Sequence, residues 1–338
     1  MFRDRPLQRS AISIWWWAFG YFACYVPYAA LTKMLSRPLV DTGATPVGGV
    51  EILPPSVLAS TVTVVMFLGL TGWWRRAGRR SFAGIPVPWP GRWTALSGLC
   101  SSGIIATTTL AYTFDGVSII FIMLLLRGGV LMMAPVVDLF SRRHVRWFSW
   151  VALALSIASL LIATFGGGGT LGGGMTLLAA IDVALYLGFY FVRLSLMSHR
   201  AKSPDPDTNL RYFVEEQLVS VPALLAVLAL GAVALGGDTG AQLRDGFTTF
   251  WDRPVVLHGL AIGVLSQGTG ICGGLILLDT RENTFSIPVN RTSSILAGVA
   301  SSALLAAAYD YGTVPVQELV GAALIVVAIG FLTLPARR

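Results

Sequence analysis

Apolar runs of about twenty residues, each closed by a short polar or basic loop, recur along the whole chain. As a helix, a run of that length crosses roughly 30 Å of hydrocarbon. A helix also satisfies its own backbone N–H and C=O groups in lipid, and these runs lack the ten-residue alternation of barrel strands. The pattern predicts ten spans, at approximately 12–33, 54–74, 93–113, 117–139, 147–166, 173–196, 212–235, 255–278, 285–308 and 318–335. Only the Asp115-Gly116 turn divides the third from the fourth. The first run is too long for a typical cleaved leader and is expected to stay as a helix.

Composition supports the same class. Of the 338 residues, 54% are hydrophobic and only 12% charged, where a soluble domain carries about a quarter. The expected fold is therefore an all-α polytopic membrane protein. A net charge of +7 raises the question of nucleic acid, but no basic stripe falls on a soluble surface, so none is expected as a partner. The basic residues orient the chain instead. With both termini cytoplasmic, 17 of the 24 Lys and Arg residues fall in inside loops, while Lys33, Arg37, Arg244 and Arg253 fall outside. Such a bias sets topology. Trp15, Trp16, Trp17, Trp73, Trp74, Trp93, Trp147 and Trp150 cluster at the same predicted ends, as interfacial rings do. Cys24, Cys100 and Cys272 lie within apolar runs without metal spacing and read as packing residues.

Three basic residues remain, Arg127, Arg193 and Arg291, all inside spans. Arg127 and Arg291 lie 164 residues apart, and Asp115 and Asp279 repeat that interval. At 165 residues Tyr21 and Tyr25 fall on Tyr186 and Tyr190, and Glu51 falls on Glu216; Ser102 falls on Ser266 at 164. The chain thus divides into repeats 1–168 and 169–338, joined by Gly166–Gly169 and Gly172–Gly174. Each holds five spans. An odd number forces the second repeat to enter from the opposite side, the inverted topology of secondary transporters, whose sites lie between the repeats.

Arginine in hydrocarbon costs about 2.5–3.5 kcal/mol on insertion scales and generally faces a cavity or a partner. Arg127 and Arg291 are candidate substrate ligands, since the planar guanidinium offers paired donors to a carboxylate or phosphate. A structural clamp between helices is the alternative, and Arg291 lies near enough to a span end to snorkel. Asn290 and Thr292 flank Arg291 and add hydrogen-bonding capacity. Tyr21, Tyr25, Tyr186 and Tyr190 sit at one-turn spacing and are candidate cavity residues, with packing as the plainer role. Asp182 shares a helical face with Tyr186 and Tyr190, and is either a proton-coupling carboxylate or a static partner for an arginine. Glu215 and Glu216 open the seventh span, where negative charge suits a helix N-terminus. They are expected to pair with Arg193, or else to gate the substrate path. His258 reads as a satisfied interfacial histidine. Gly263, Gly268, Gly270, Gly273 and Gly274 give the eighth span a thin face for close packing.

The stretch Val316-Gln317-Glu318-Leu319-Val320-Gly321-Ala322-Ala323-Leu324-Ile325, followed by Gly330, resembles the last helix of the drug/metabolite transporter superfamily. Leu126-Arg127-Gly128-Gly129 through Pro135, followed by Arg142-Arg143, resembles its fourth helix and basic turn. This group includes EamA-type exporters and the nucleotide-sugar and triose-phosphate translocators. The Glu common before its fifth helix is absent here. The resemblance implies ten helices in two inverted repeats with both ends inside. The expected function is gradient- or exchange-driven transport of a small organic anion by alternating access, with no cofactor or metal and no ATP-binding loop. Proton-coupled export of amphipathic or cationic compounds is the second reading, and an intramembrane enzyme on lipid-linked substrates the third, without a convergent catalytic constellation. An excess of Arg over Lys fits a bacterial inner membrane. The protein is expected as a monomer or homodimer in the lipid bilayer.

Overall fold

The computed structural model describes residues 14–37, 39, 47–82, 85–114, 119–130, 147–165, 177–200, 206–278, 283–310 and 316–332. Asp115, Asp279 and the Gly166–Gly174 connection lie outside them. A helix occupies each of the ten predicted stretches. In chain order these are α1 (Ile14–Ser36), α2 (Gly49–Thr71), α3 (Arg92–Ala111), α4 (Ile119–Met123), α5 (Trp147–Phe165), α6 (Leu177–Arg200) and α7 (Pro206–Ala234). After the short α8 (Gly237–Phe247) come α9 (Val256–Leu277), α10 (Asn283–Tyr309) and α11 (Val316–Leu332). Among the described residues, six helices (α2, α3, α6, α7, α9 and α10) are long and apolar enough to cross a membrane. The chain is an integral membrane protein, turned out accordingly. Leu70, Leu177 and Val233 are 77–88% exposed, while Glu51, Arg127, Asp182, Glu216 and Arg291 are buried.

Local chemistry accounts for the element ends. At the start of α2 the backbone N–H of Gly48 donates to Glu51 Oε2 at 3.3 Å, which offsets one unpaired donor of the first turn. Gly72 ends that helix in the left-handed region at φ 69°, a conformation open to glycine because it lacks Cβ. Three features are absent from the sequence reading. A two-stranded hairpin, β1 (Arg79–Phe82) with β2 (Ile85–Pro88), joins α2 to α3, with Arg80 opposite Val87. The amphipathic α8 caps the opposite connection. A π-helical turn, Leu124–Gly128, continues α4 and carries Arg127; such turns often occur at functional sites.

The packing repeats along with the sequence. Helix α1 packs most heavily on α9 and α10, and α3 on α6 and α7. A shift of 165 residues carries the α1–α9 seam onto the α6–α3 seam, and the α2–α9 seam onto the α7–α3 seam. Helix α5 packs on α11, its counterpart. Glycines mark equivalent places. A methyl group at Gly98 would come within 3.0 Å of the Glu216 carbonyl on α7, and one at Gly263 within 2.0 Å of the Ser56 carbonyl on α2. Gly103 lies against Phe189, and Gly268 against Cys24. Gly98 and Gly263, Gly103 and Gly268, and Cys24 and Phe189 keep the 165-residue interval. Ser102 therefore corresponds to Gln267 rather than Ser266, a correction of one residue within this helix.

Candidate functional site

The π turn of α4 projects Arg127 toward α1 and α6. Its Nη1 donates to the Tyr186 hydroxyl at 2.7 Å and its Nη2 to that of Tyr25 at 2.8 Å. Both rings also face the cation, with centroids 5.5 Å and 5.9 Å from Cζ, within the range of cation–π attraction. Tyr25 shares a second hydrogen bond of 2.9 Å with Tyr112, whose hydroxyl reaches Met123 Sδ at 3.2 Å. Arg127 thus bridges a tyrosine of α1 and one of α6.

Arg291 completes the pair. It is 1% exposed, so the snorkelling expectation is overturned: α10 holds it inward, with Cζ 4.5 Å from the Tyr190 ring centroid. The tyrosine pairs match in geometry, Tyr21–Tyr25 at 5.3 Å and 38°, Tyr186–Tyr190 at 5.5 Å and 39°. Four rings and two guanidinium groups therefore form one cluster.

The electrostatics of the cluster are unbalanced. Among the described residues, Nε of Arg127, and Nε and Nη1 of Arg291, have no hydrogen-bond partner. Among the described residues no carboxylate pairs with either side chain. Arg193 differs. Its Nε and Nη2 hold Glu216 at 2.7 Å and 3.0 Å, and Ser97 and Ser101 complete that carboxylate at 2.7 Å and 2.9 Å. The expected pairing of Arg193 falls on Glu216 alone.

A cavity of about 110 Å³ opens beside the cluster, walled by Tyr21, Tyr25, Tyr190, Arg127, Arg193 and Asn290. Helix α9 contributes Ser266, Thr269, Gly270 and Gly273 to the wall, and α3 contributes Ile104, Ile105 and Thr108. Gly273 is required by close approach: a methyl group there would come within 2.8 Å of the Tyr21 ring. Asn290 Nδ2 lies 3.4 Å from the Gly273 carbonyl oxygen. The wall is mostly apolar, aromatic and aliphatic, with cationic and hydrogen-bonding groups set into it.

Several predicted residues stand apart. Thr292 is half-buried and outside the cavity wall. Asp182 is buried one turn before Tyr186, but pairs with no arginine, and its Oδ2 has no partner; the static-partner reading is corrected accordingly. Glu215 is likewise not a wall residue. It accepts from Gly78 N, Gly91 N, Thr94 Oγ1 and Arg211 Nε at 2.7–3.0 Å, which makes it an anchor for the β-hairpin rather than a gate. His258 Nδ1 has no partner among the described residues. Two contributors were missed, Tyr28 and Tyr112. Tyr28 continues the one-turn series from Tyr21 and Tyr25, and that spacing was available in the sequence. Tyr112 arrives from the end of α3 and leaves no local signal.

No family model matches the chain, and no curated protein matches it. Among solved structures 18 chains match. One, described only as the crystal structure of a protein, has a TM-score of 0.50 at 12% identity, covering 94% of this chain and 98% of that one. Likeness at that identity concerns the fold alone.

Proposed function

We propose that this chain is a secondary transporter that moves a small organic anion by alternating access. In this reading its ten spans form two inverted five-helix repeats with both termini cytoplasmic, in a bacterial inner membrane, on the plan of the drug/metabolite transporter superfamily. The observation that carries it is the pair of buried guanidinium groups, Arg127 in the cavity wall and Arg291 stacked on the wall residue Tyr190, with open donors and, among the described residues, no carboxylate to neutralise them. An uncompensated ion in a low-dielectric interior costs several kcal/mol. A bound anion offsets that cost, which favours a negatively charged ligand. The guanidinium forks offer paired donors to a carboxylate or phosphate, and the tyrosine faces restrict its shape.

The symmetry supplies the motion. Equivalent seams, α1–α9 and α3–α6, flank the cluster, so rocking one repeat against the other opens the cavity to one side and then the other. Arg127, bridging Tyr25 and Tyr186, sits where the repeats meet. Asp182 supplies a buried, unpaired carboxylate on the same helix as Tyr186 and is the group assigned to proton coupling.

Exchange in proteoliposomes tests the proposal. Vesicles preloaded with a labelled mono- or dicarboxylate or phosphate monoester are challenged with the same unlabelled compound outside. Protein-dependent exit of at least one such anion, absent with Arg127→Ala/Arg291→Ala, is expected. Exchange confined to amines or neutral compounds, and unaffected by the double variant, replaces the anion reading with cation or drug export.

A further inference from the structure

The segment between α2 and α3 has a chemistry that the transport site does not use. Trp73–Arg76 forms a single 3-10 turn, the β-hairpin follows, and Arg92 and Trp93 open α3. Arg75 and Arg79 both stack on Trp74, with Cζ 5.8 Å from its ring centroid; Arg80 stacks on Trp89 at 5.8 Å and Arg92 on Trp93 at 5.1 Å. These four arginines and the three indoles are exposed. None of the four has an ion pair among the described residues. Arg76 does, with Asp207, whose side chain is itself 66% exposed. A guanidinium stacked on a ring keeps its in-plane N–H donors free. The result is a cationic surface with an aromatic floor.

Its place in the fold says what faces it. The outward apolar stripe of α2 runs through Val62, Met66 and Leu70, the last 85% exposed, and ends at this turn. The outward stripe of α3 begins here with Trp93, Leu96 and Leu99, 37–50% exposed. Both stripes face hydrocarbon, so the arginines stand at headgroup depth. Glu215 holds the base of the segment through Gly78 N and Gly91 N, on the two sides of the hairpin. The cations are thereby fixed to α7 rather than carried on a loose loop.

We propose that this hairpin surface binds the headgroups of anionic phospholipids in the adjacent leaflet, through Arg75, Arg79, Arg80 and Arg92, with Trp74, Trp89 and Trp93 seated at the interface. Basic residues near a membrane surface are attracted to anionic lipid and the attraction falls with salt, while indole rings favour the same depth. Zwitterionic lipid satisfies the rings but not the charges.

Native mass spectrometry of the full chain in neutral detergent, with equimolar phosphatidylglycerol and phosphatidylcholine, tests this. A preference of about tenfold or more for phosphatidylglycerol is expected, falling as ammonium acetate is raised. Arg79→Gln/Arg80→Gln/Arg92→Gln is expected to lose the preference, and the three Arg→Lys changes to retain most of it. Equal binding of the two lipids by the unaltered protein, or a preference that survives both salt and the Gln variant, overturns the proposal. So does displacement of phosphatidylglycerol by millimolar inorganic phosphate, which marks a free-anion site. The salt titration uses the unaltered chain, so a Gln variant that fails to fold leaves the proposal testable.

Discussion

Arg193 and Arg291 are both buried, and they differ in what faces them. Arg193 has a carboxylate held by two short hydrogen bonds; Arg291 has an aromatic ring and two open nitrogens. Removing one partner of a buried pair strands the other, at a cost of about 3–5 kcal/mol. Arg193→Met is therefore expected to lower stability by that order in denaturant unfolding of the detergent-solubilised chain, with Arg193→Met/Glu216→Leu recovering most of it. Arg291→Met strands no carboxylate and is expected to leave stability unchanged or raised. An equal loss from both single variants makes Arg291 a structural residue. Much of this contrast was legible, because polar residues are scarce inside the spans and both arginines stood out. Their partners were less so. Glu216 was within reach of a spacing argument from the end of α6, whereas Tyr112 meets Tyr25 only because α3 packs toward α1.

Helix seams show what pattern reading captures and what escapes it. The glycine-rich face of α9 was evident, but not which glycines matter. Gly263 packs against a backbone carbonyl, while Gly270 has no atom within 4 Å of a would-be methyl group. Overpacking a tight contact costs about 1–3 kcal/mol or more. Gly263→Ala is expected to lower the melting temperature of the purified protein, and Gly270→Ala to leave it unchanged. Reversed effects would mean that the α2–α9 seam is not as described. The π turn at Arg127 left no trace in the sequence because one wide turn does not disturb an unbroken apolar run. The hairpin was hidden by its prolines, Pro86 and Pro88, which disguise a short strand pair as loop. Helix α8 was hidden by its polarity, since a span search passes over a short amphipathic helix.

Across the whole molecule, a handful of polar positions suggested a repeat, and helix seams and tyrosine pairs recur at the same 165-residue interval. What no single-chain pattern conveys is which groups converge between the repeats: that follows from packing over distances of a hundred residues or more. The proposed inverted arrangement also predicts sidedness. In a cysteine-free background, Ser81→Cys on the hairpin is expected to react with an impermeant maleimide only from the cytoplasmic side, and Asp245→Cys at the end of α8 only from the outside. Labelling of both from one side contradicts the orientation set by the basic residues.

The central claim is that two unpaired cations form an anion site, and ligand-dependent thermal stabilisation tests it most directly. Purified protein is compared against matched panels of organic anions, amines and neutral metabolites. A ligand specific for the folded state adds about 2.7 kcal/mol at one hundred times its Kd. Stabilisation by one or more anions, abolished in Arg127→Ala/Arg291→Ala while that variant still unfolds cooperatively, is the expected result. Stabilisation by amines or neutral compounds alone, retained in the double variant, contradicts the claim and returns both arginines to a structural role.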